Sequence, residues 1–167
     1  YIPPFKTPKK LKKVGLNLNP SAIWDIADMP VSEMGDYKAA SAAIKTIQSQ
    51  KGPLLLSVGI YRPHVPWIVP QAYFDMYPPE TLKLSERRVE DLDDLPERLK
   101  LVAGLEAQFG KGYHEKLVRK GYDKQFVRAY LASVTFADEQ VGRILDAWYA
   151  SPYAETGYVV LWSDHGY

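Results

Sequence analysis

Apolar residues recur at helical spacing in two segments of the chain. In the first segment they step by three or four residues, at Tyr37, Ala40, Ile44 and Ile47. Gly52 and Pro53 then stop the pattern, which predicts a helix capped by Asp36 with one buried face. The second segment starts at Asp123 and steps in the same way through Phe126, Tyr130, Val134, Ala137, Val141, Leu145 and Trp148. It predicts an amphipathic helix of about 25 residues that packs lengthwise on a sheet.

A short apolar run follows each of these helices. The two runs cover residues 54–58 and 158–162, and turn-forming residues precede both of them. A continuous apolar run of this length is typical of a strand that is covered on both faces. Because helix and strand recur in this order, the pattern predicts an α/β fold with a mostly parallel sheet.

The remaining segments lack this periodicity. Residues 1–35 predict a surface loop with a basic cluster, which is either a solvated face or a contact for an anionic polymer. The basic residues are Lys6, Lys9, Lys10, Lys12 and Lys13. Residues 62–79 contain five prolines and predict a rigid connection with at most a short helix at 71–77. The polar stretch 80–122 contains His114 and a group of aspartates, but neither has the spacing of a known site.

Composition narrows the functional classes further. The chain has 167 residues, 46% of them apolar and 25% charged, which is enough for one sizeable globular core. The formal net charge of +1 gives no general argument for nucleic-acid binding, and no apolar run is long enough to span a membrane. Since there is no cysteine, disulfides, thiolate metal sites and a cysteine nucleophile are excluded within this sequence.

Polar side chains follow both predicted strands. Arg62 and His64 come after the first, and Asp164 and His165 come directly after the second. In open α/β sheets, ligands bind beyond the carboxyl ends of the strands. If the two strands are parallel neighbours, the four residues share one rim of the sheet.

Each of these candidates has a functional and a structural interpretation. Asp164 offers a carboxylate oxygen to a divalent cation, and His165 favours a transition metal. In the structural interpretation, Asp164 instead caps a turn or helix and His165 packs locally. His64, held between prolines, is suited either to proton transfer near neutral pH or to anchoring its loop. Arg62 either binds an anion through its planar guanidinium or lies at the surface.

Three longer motifs follow one another along the chain: LLLSVGIYRPHVPW at 54–67, YLASVTFADEQVGRILD at 130–146 and VVLWSDHGY at 159–167. Taken together and in this order, they resemble the formylglycine-dependent sulfatases, and within them the iduronate-2-sulfatase-like branch. The resemblance implies an alkaline-phosphatase-like α/β/α sandwich with a mostly parallel sheet. Residues 1–167 would then be a single partial catalytic domain, with residues 80–122 as a polar insertion.

The resemblance also implies a chemistry and a set of site residues. Sulfatases hydrolyse a sulfate ester with a hydrated formylglycine, made from cysteine or serine, and a divalent cation that is usually Ca²⁺. By position, Asp164 and His165 are both expected in the metal shell, Asp164 as a direct ligand and His165, also a catalytic residue, beside the metal or the nucleophile. His64 is expected to contact the sulfate or protonate the leaving alcohol, Tyr167 to line a sugar subsite, and Arg62 to pair with an acidic or sulfated sugar.

The sequence departs from the sulfatase pattern at several points. It has no Cys or Ser followed at the required spacing by Pro and Arg, no early Asp-Asp pair, and no basic residues after Tyr167. We therefore expect an internal fragment, inactive alone, that is completed by the rest of a sulfatase domain. The expected partner is a sulfated small molecule or saccharide rather than nucleic acid or membrane, and family resemblance implies a periplasmic, secreted or lysosomal location.

Two other functions are compatible with the same residues. A phosphodiester or phosphonate hydrolase of the same superfamily would share the fold and the Asp-His pair but use another nucleophile. A non-catalytic domain would instead bind anionic glycans through Arg62 and the amino-terminal lysines. The proline-rich loop around His64 favours the sulfatase.

Overall fold

The computed structural model describes residues 24–86, 92–100 and 117–163. The paired strands there are β1 (Trp24–Ile26) and β2 (Trp67–Val69). The α-helices are α1 (Gly35–Ser49), α2 (Gln71–Asp75), α3 (Glu97–Lys100) and α4 (Asp123–Tyr149). Single 3-10 turns lie at Val31–Glu33, Pro79–Thr81 and Pro152–Glu155. Among these helices, none combines the length and the hydropathy that a membrane span requires.

β1 and β2 pair in parallel, with Trp24 opposite Trp67 and Ile26 opposite Val69. All three residues of β2 are buried, whereas β1 is partly exposed. Phe126 of α4 meets the rings of Trp24 and Trp67 edge to face, with ring centroids 5.7 and 4.6 Å apart. These aromatic contacts hold the sheet against the first turns of α4.

The core lies between this sheet, α2 and α4. Phe136 of α4 is fully buried, and its ring contacts Tyr73 of α2 edge to face at 5.3 Å. On the same side of α4, Arg128 donates two hydrogen bonds to the carbonyl oxygen of Phe74, at 2.8 and 3.0 Å. α2, although only five residues long, is therefore fixed to α4 by both packing and hydrogen bonds.

α1 packs against α4 through small side chains. Ala40, Ala43 and Ile47 are buried on α1, and the two small alanines let the helices approach closely. Arg143 of α4 lies over the ring of Tyr37 at 3.9 Å and donates a 2.9 Å hydrogen bond to Ser41. The position of α1 is thus set by α4.

The carboxyl ends of α1 and α4 are also linked. The hydroxyl of Tyr153 lies 3.1 Å from the carbonyl oxygen of Gln50 and 2.8 Å from that of Gly52. The Tyr153 ring stacks on Trp148, the penultimate residue of α4, with ring centroids 5.6 Å apart. The segments that follow the two helices, 53–60 and 157–163, therefore start from the same end of the helix pair.

The two long predicted helices are confirmed as α1 and α4, and the short predicted helix is confirmed as α2. The predicted buried face of α4 is wrong in detail. Its buried residues are Ala129, Ala132, Ser133, Phe136, Ala137 and Gln140, of which the predicted stripe included only Ala137. The larger residues of the predicted stripe are partly exposed, and Phe126 and Tyr130 among them pack against the edge of the core.

Both predicted strands are wrong in this structure. Residues 54–58 and 158–162 form no paired strand; Leu55 is 97% exposed and Trp162 is 73% exposed. A strand needs a hydrogen-bonded neighbour, and no described residue supplies one to either segment. The parallel sheet is instead made by residues that we predicted as loop: β1 within 1–35 and β2 within the proline-rich connection.

The central position of Phe136 generates a stability prediction. Phe136→Ala should lower the free energy of unfolding of the full-length protein by about 3–5 kcal/mol, because it removes a buried ring and leaves a cavity between α2, α4 and the sheet. Denaturant unfolding measures the change. The exposed Asp146 on the same helix provides the control, since Asp146→Ala should change the free energy by about 0.5 kcal/mol or less. Equal effects of the two substitutions would contradict this packing.

Candidate functional site

The described part of the candidate site is the loop of residues 61–66, which we call the His64 loop. It connects the segment 53–60 to β2 and contains two of the predicted site residues, Arg62 and His64. The other predicted site residues, Asp164, His165 and Tyr167, lie outside the described residues. So do His114 and the basic cluster at residues 6–13.

His64 is exposed, and its ring is held by hydrogen bonds from within its own loop. Nδ1 lies 2.6 Å from the carbonyl oxygen of Val65 and 2.9 Å from the hydroxyl of Tyr61. The same hydroxyl donates a 2.7 Å hydrogen bond to the Val65 carbonyl, and the two rings lie 4.9 Å apart. The orientation of the imidazole is therefore fixed although its surface is open to a ligand.

The contact with Val65 bears on which ring nitrogen carries the proton. A carbonyl oxygen only accepts hydrogen bonds, so Nδ1 of His64 carries a proton in the tautomer that donates to it. Nε2 then has a lone pair in the neutral ring and an N–H in the imidazolium. Since no described residue bonds Nε2, this nitrogen is the one presented to a ligand.

Arg62 lies in the interior, so its predicted surface position is wrong. It is 4% exposed, like Asp36, and its Nη1 lies 3.4 Å from Oδ2 of Asp36. Burial lowers the pKa of the Arg62 guanidinium, and the neighbouring Asp36 carboxylate opposes this effect. The predicted contact of Arg62 with a sulfated sugar stays a prediction. A guanidinium that is bound to a buried carboxylate exposes little surface to a sugar.

Asp36 also differs from its predicted role. We expected it to cap α1, but Met34 holds the N-cap position without a side-chain hydrogen bond and Asp36 lies in the first turn. Its carboxylate accepts a 2.8 Å hydrogen bond from the amide of Tyr61 and lies 3.4 Å from the amide of Arg62. The carboxylate thus binds the start of the His64 loop.

The end of the His64 loop is fixed as well. Nη2 of Arg62 donates a 3.1 Å hydrogen bond to the carbonyl oxygen of Ile68 in β2. The indole nitrogen of Trp67 donates a 2.6 Å hydrogen bond to the carbonyl oxygen of Pro63. Both ends of the loop are therefore attached to buried, regular structure.

Sequence reasoning missed Asp36 and Tyr61 as parts of this site. Asp36 is 25 residues from Tyr61 along the chain, so no local spacing relates the two. Tyr61 is nearer, three residues before His64, but only the folded loop brings its hydroxyl to the ring. We interpreted Asp36 as the cap of α1, and this interpretation concealed its second role.

A metal site was predicted from residues that the structure does not describe. Within residues 24–86, 92–100 and 117–163, no three His, Asp or Glu side chains lie close enough together to hold a metal ion. Asp164 and His165 would offer oxygen and nitrogen donors that suit a divalent cation, but two side chains are fewer ligands than Ca²⁺ takes. Further ligands would have to come from elsewhere.

Comparison with known proteins identifies the family of the chain. The sulfatase family model matches residues 7–167. A sulfatase of Formosa agariphila is 38% identical over 135 residues, which cover 80% of this chain and 26% of that protein. Mouse iduronate 2-sulfatase is 27% identical over 157 residues, covering 86% of the chain and 27% of the enzyme.

An arylsulfatase of Clostridium perfringens is 31% identical over 120 residues, which cover 68% of the chain and 22% of the enzyme. The chain thus spans about a quarter of the length of the curated relatives that it matches. The family model covers nearly all of the sequence, including the His64 loop and α4. The chain belongs to the sulfatase family.

Proposed function

We propose that the whole protein hydrolyses sulfate esters and that His64 acts directly on the sulfate group or on the leaving alcohol. The observation that carries this proposal is the state of the His64 ring, which is exposed, oriented and bonded through Nδ1 alone within the described residues. A side chain that only anchored its loop would not need an open ring face. The family membership of the chain supports sulfate as the group that is recognised.

The geometry of His64 fits a general acid. In the imidazolium form, the Nδ1 proton stays on the ring, hydrogen-bonded to the Val65 carbonyl, and the Nε2 proton is free to transfer. As the bond between sulfur and the ester oxygen breaks, Nε2 gives its proton to the departing alcohol oxygen. The neutral ring that remains keeps its orientation, because the hydrogen bond from Nδ1 is the same in both forms.

The remaining parts of the site are proposed from the resemblance. A divalent cation, for which Ca²⁺ is the family's usual choice, and a formylglycine made from a cysteine or serine outside this chain would supply the activated nucleophile. Asp164 and His165 would contribute donor atoms to the cation, and Tyr167 would face the sugar. The periplasmic, secreted or lysosomal location also stays a prediction.

The helix ends support a common rim for His64 and Asp164. Tyr153 ties the carboxyl ends of α1 and α4, so the segments 53–60 and 157–163 start side by side. The segment 53–60 leads directly into the His64 loop, and the segment 157–163 directly precedes Asp164 in the sequence. Apolar side chains of both segments are exposed in this structure, so both segments offer an apolar surface to the rest of the protein.

The other two functions receive less support. A glycan-binding domain that used Arg62 would need an accessible guanidinium, whereas Arg62 is buried against Asp36. The relatives compared above carry the names of sulfatases rather than of phosphodiesterases or phosphonate hydrolases. Sulfate ester hydrolysis is accordingly the function we retain.

Replacing His64 tests the proposal directly. On the best substrate from a panel of sulfated monosaccharides, His64→Ala should lower kcat of the full-length protein by about 10²–10⁴-fold, the usual contribution of a general acid. The loss should be smaller on para-nitrophenyl sulfate, whose leaving group departs readily without a proton. Wild-type turnover on the monosaccharide would refute the assignment of His64, and equal losses on both substrates would indicate contact with the sulfate instead of proton donation.

Tyr61 should affect turnover through the orientation of His64. Tyr61→Phe removes the hydroxyl that contacts both Nδ1 and the Val65 carbonyl, and a net loss of about 1 kcal/mol of hydrogen bonding corresponds to a decrease in kcat of about fivefold. Steady-state kinetics on the same monosaccharide measure it. Tyr149→Phe, at the exposed end of α4, is the matched control and should leave kcat unchanged. A wild-type kcat for Tyr61→Phe would show that the hydroxyl does not matter.

Asp164 is expected to be a metal ligand. Asp164→Asn should reduce the amount of divalent cation that copurifies with the full-length protein, because an amide oxygen is a weaker ligand than a carboxylate. Elemental analysis after dialysis gives the metal content per protein molecule. Asp146→Asn, on the exposed face of α4, should retain the wild-type content. Full metal content in Asp164→Asn would exclude Asp164 as an essential ligand.

A further inference from the structure

Asp36 has a buried carboxylate that, among the described residues, forms hydrogen bonds with the His64 loop. It is 4% exposed, and it binds the amide of Tyr61 as well as the amide and guanidinium of Arg62. We propose that Asp36 is a positioning residue for His64: it holds Tyr61 and Arg62 so that the imidazole is presented in one orientation. The proposal rests on the function proposed for His64, but part of its test does not depend on turnover.

Tyr61 connects Asp36 to His64. Its backbone amide donates to Oδ1 of Asp36 at 2.8 Å, and its side-chain hydroxyl contacts Nδ1 of His64 at 2.9 Å. A backbone hydrogen bond to a buried carboxylate leaves Tyr61 little freedom to move, because a charged acceptor makes the bond stronger than one between neutral groups. The position of the hydroxyl, and with it the orientation of the ring, follows from the anchored backbone.

Arg62 connects Asp36 to the end of the His64 loop. One end of its guanidinium faces Oδ2 of Asp36 at 3.4 Å, and the other end donates to the carbonyl oxygen of Ile68 at 3.1 Å. Ile68 belongs to β2 and is buried. Asp36 on α1 therefore fixes both the entry to the loop and, through Arg62, the exit into β2.

Electrostatics explains why a carboxylate is needed at position 36. Two buried charges are costly to desolvate, and the gain in stability from such a pair is often small. A neutral acceptor would serve the Tyr61 amide, but only a carboxylate also balances the buried guanidinium. Such a pair acts mainly by selecting one geometry, and here the geometry it selects is that of the His64 loop.

Asp36→Asn separates the two roles of the carboxylate. The amide keeps the size of the side chain and one oxygen acceptor, yet it cannot balance Arg62. In the full-length protein, turnover of the sulfated monosaccharide used for His64→Ala should fall by about tenfold in kcat, with KM changed by less than about twofold. Glu33→Gln, an exposed acid in the 3-10 turn just before α1, should leave both constants at the wild-type values.

A double-mutant cycle with His64→Ala tests whether Asp36 acts through His64. If it does, adding Asp36→Asn to His64→Ala should reduce the residual kcat by less than about twofold, because the oriented group is already absent. The same tenfold loss in both backgrounds would overturn the proposal and make Asp36 a purely structural residue. Wild-type turnover by His64→Ala would instead overturn the proposed function of His64.

Chemical modification provides a readout that is independent of turnover. Diethylpyrocarbonate acylates unprotonated imidazole nitrogens, and peptide mass spectrometry gives its rate at His64. Freeing the His64 loop should raise that rate severalfold in Asp36→Asn, whereas Glu33→Gln should match wild type. If Asp36→Asn does not fold, Asp36→Glu keeps the charge but displaces the acceptor, and it should show the same direction of change. An unchanged rate in the folded variant would overturn the proposal.

Discussion

The buried contact of Asp36 with Tyr61 and Arg62 is the constraint on which the geometry around His64 depends. Asp36 belongs to α1, and α1 is fixed by its small-residue packing against α4 and by Arg143. The carboxylate accepts a hydrogen bond from the amide of Tyr61 and so fixes the His64 loop relative to α1. The orientation of an exposed imidazole thus originates in a helix pair whose own sequence shows no catalytic signal.

Much of the helical structure could be predicted from the sequence, whereas the strands could not. A helix satisfies its backbone hydrogen bonds internally, so the spacing of apolar residues is sufficient to reveal α1 and α4. A strand is defined by its neighbour, and the runs at 54–58 and 158–162 have no neighbour among the described residues. The strands that do pair, β1 and β2, are three residues each, too short to show a period.

The site was predictable where its chemistry is local and unpredictable where it is not. His64 stood out because prolines on both sides constrain it, and the structure does place it in an oriented, exposed loop. Arg62 was expected at the surface because most arginines lie there. Only the folded chain brings Asp36 to it, across 26 positions of sequence, and this partner is what makes its burial possible.

The composition of the His64 loop explains why it needs an external anchor. A side chain that contacts a ligand has to be exposed, so packing cannot hold it, and hydrogen bonds must do so instead. Pro63 and Pro66 have no amide hydrogen, so the loop of six residues has few backbone donors for hydrogen bonds within itself. Two of the remaining amides are directed to Asp36, and that of His64 donates to the carbonyl of Tyr61. The prolines that restrict the loop thus also make it dependent on one buried carboxylate, and this dependence links the fold of α1 to the chemistry of His64.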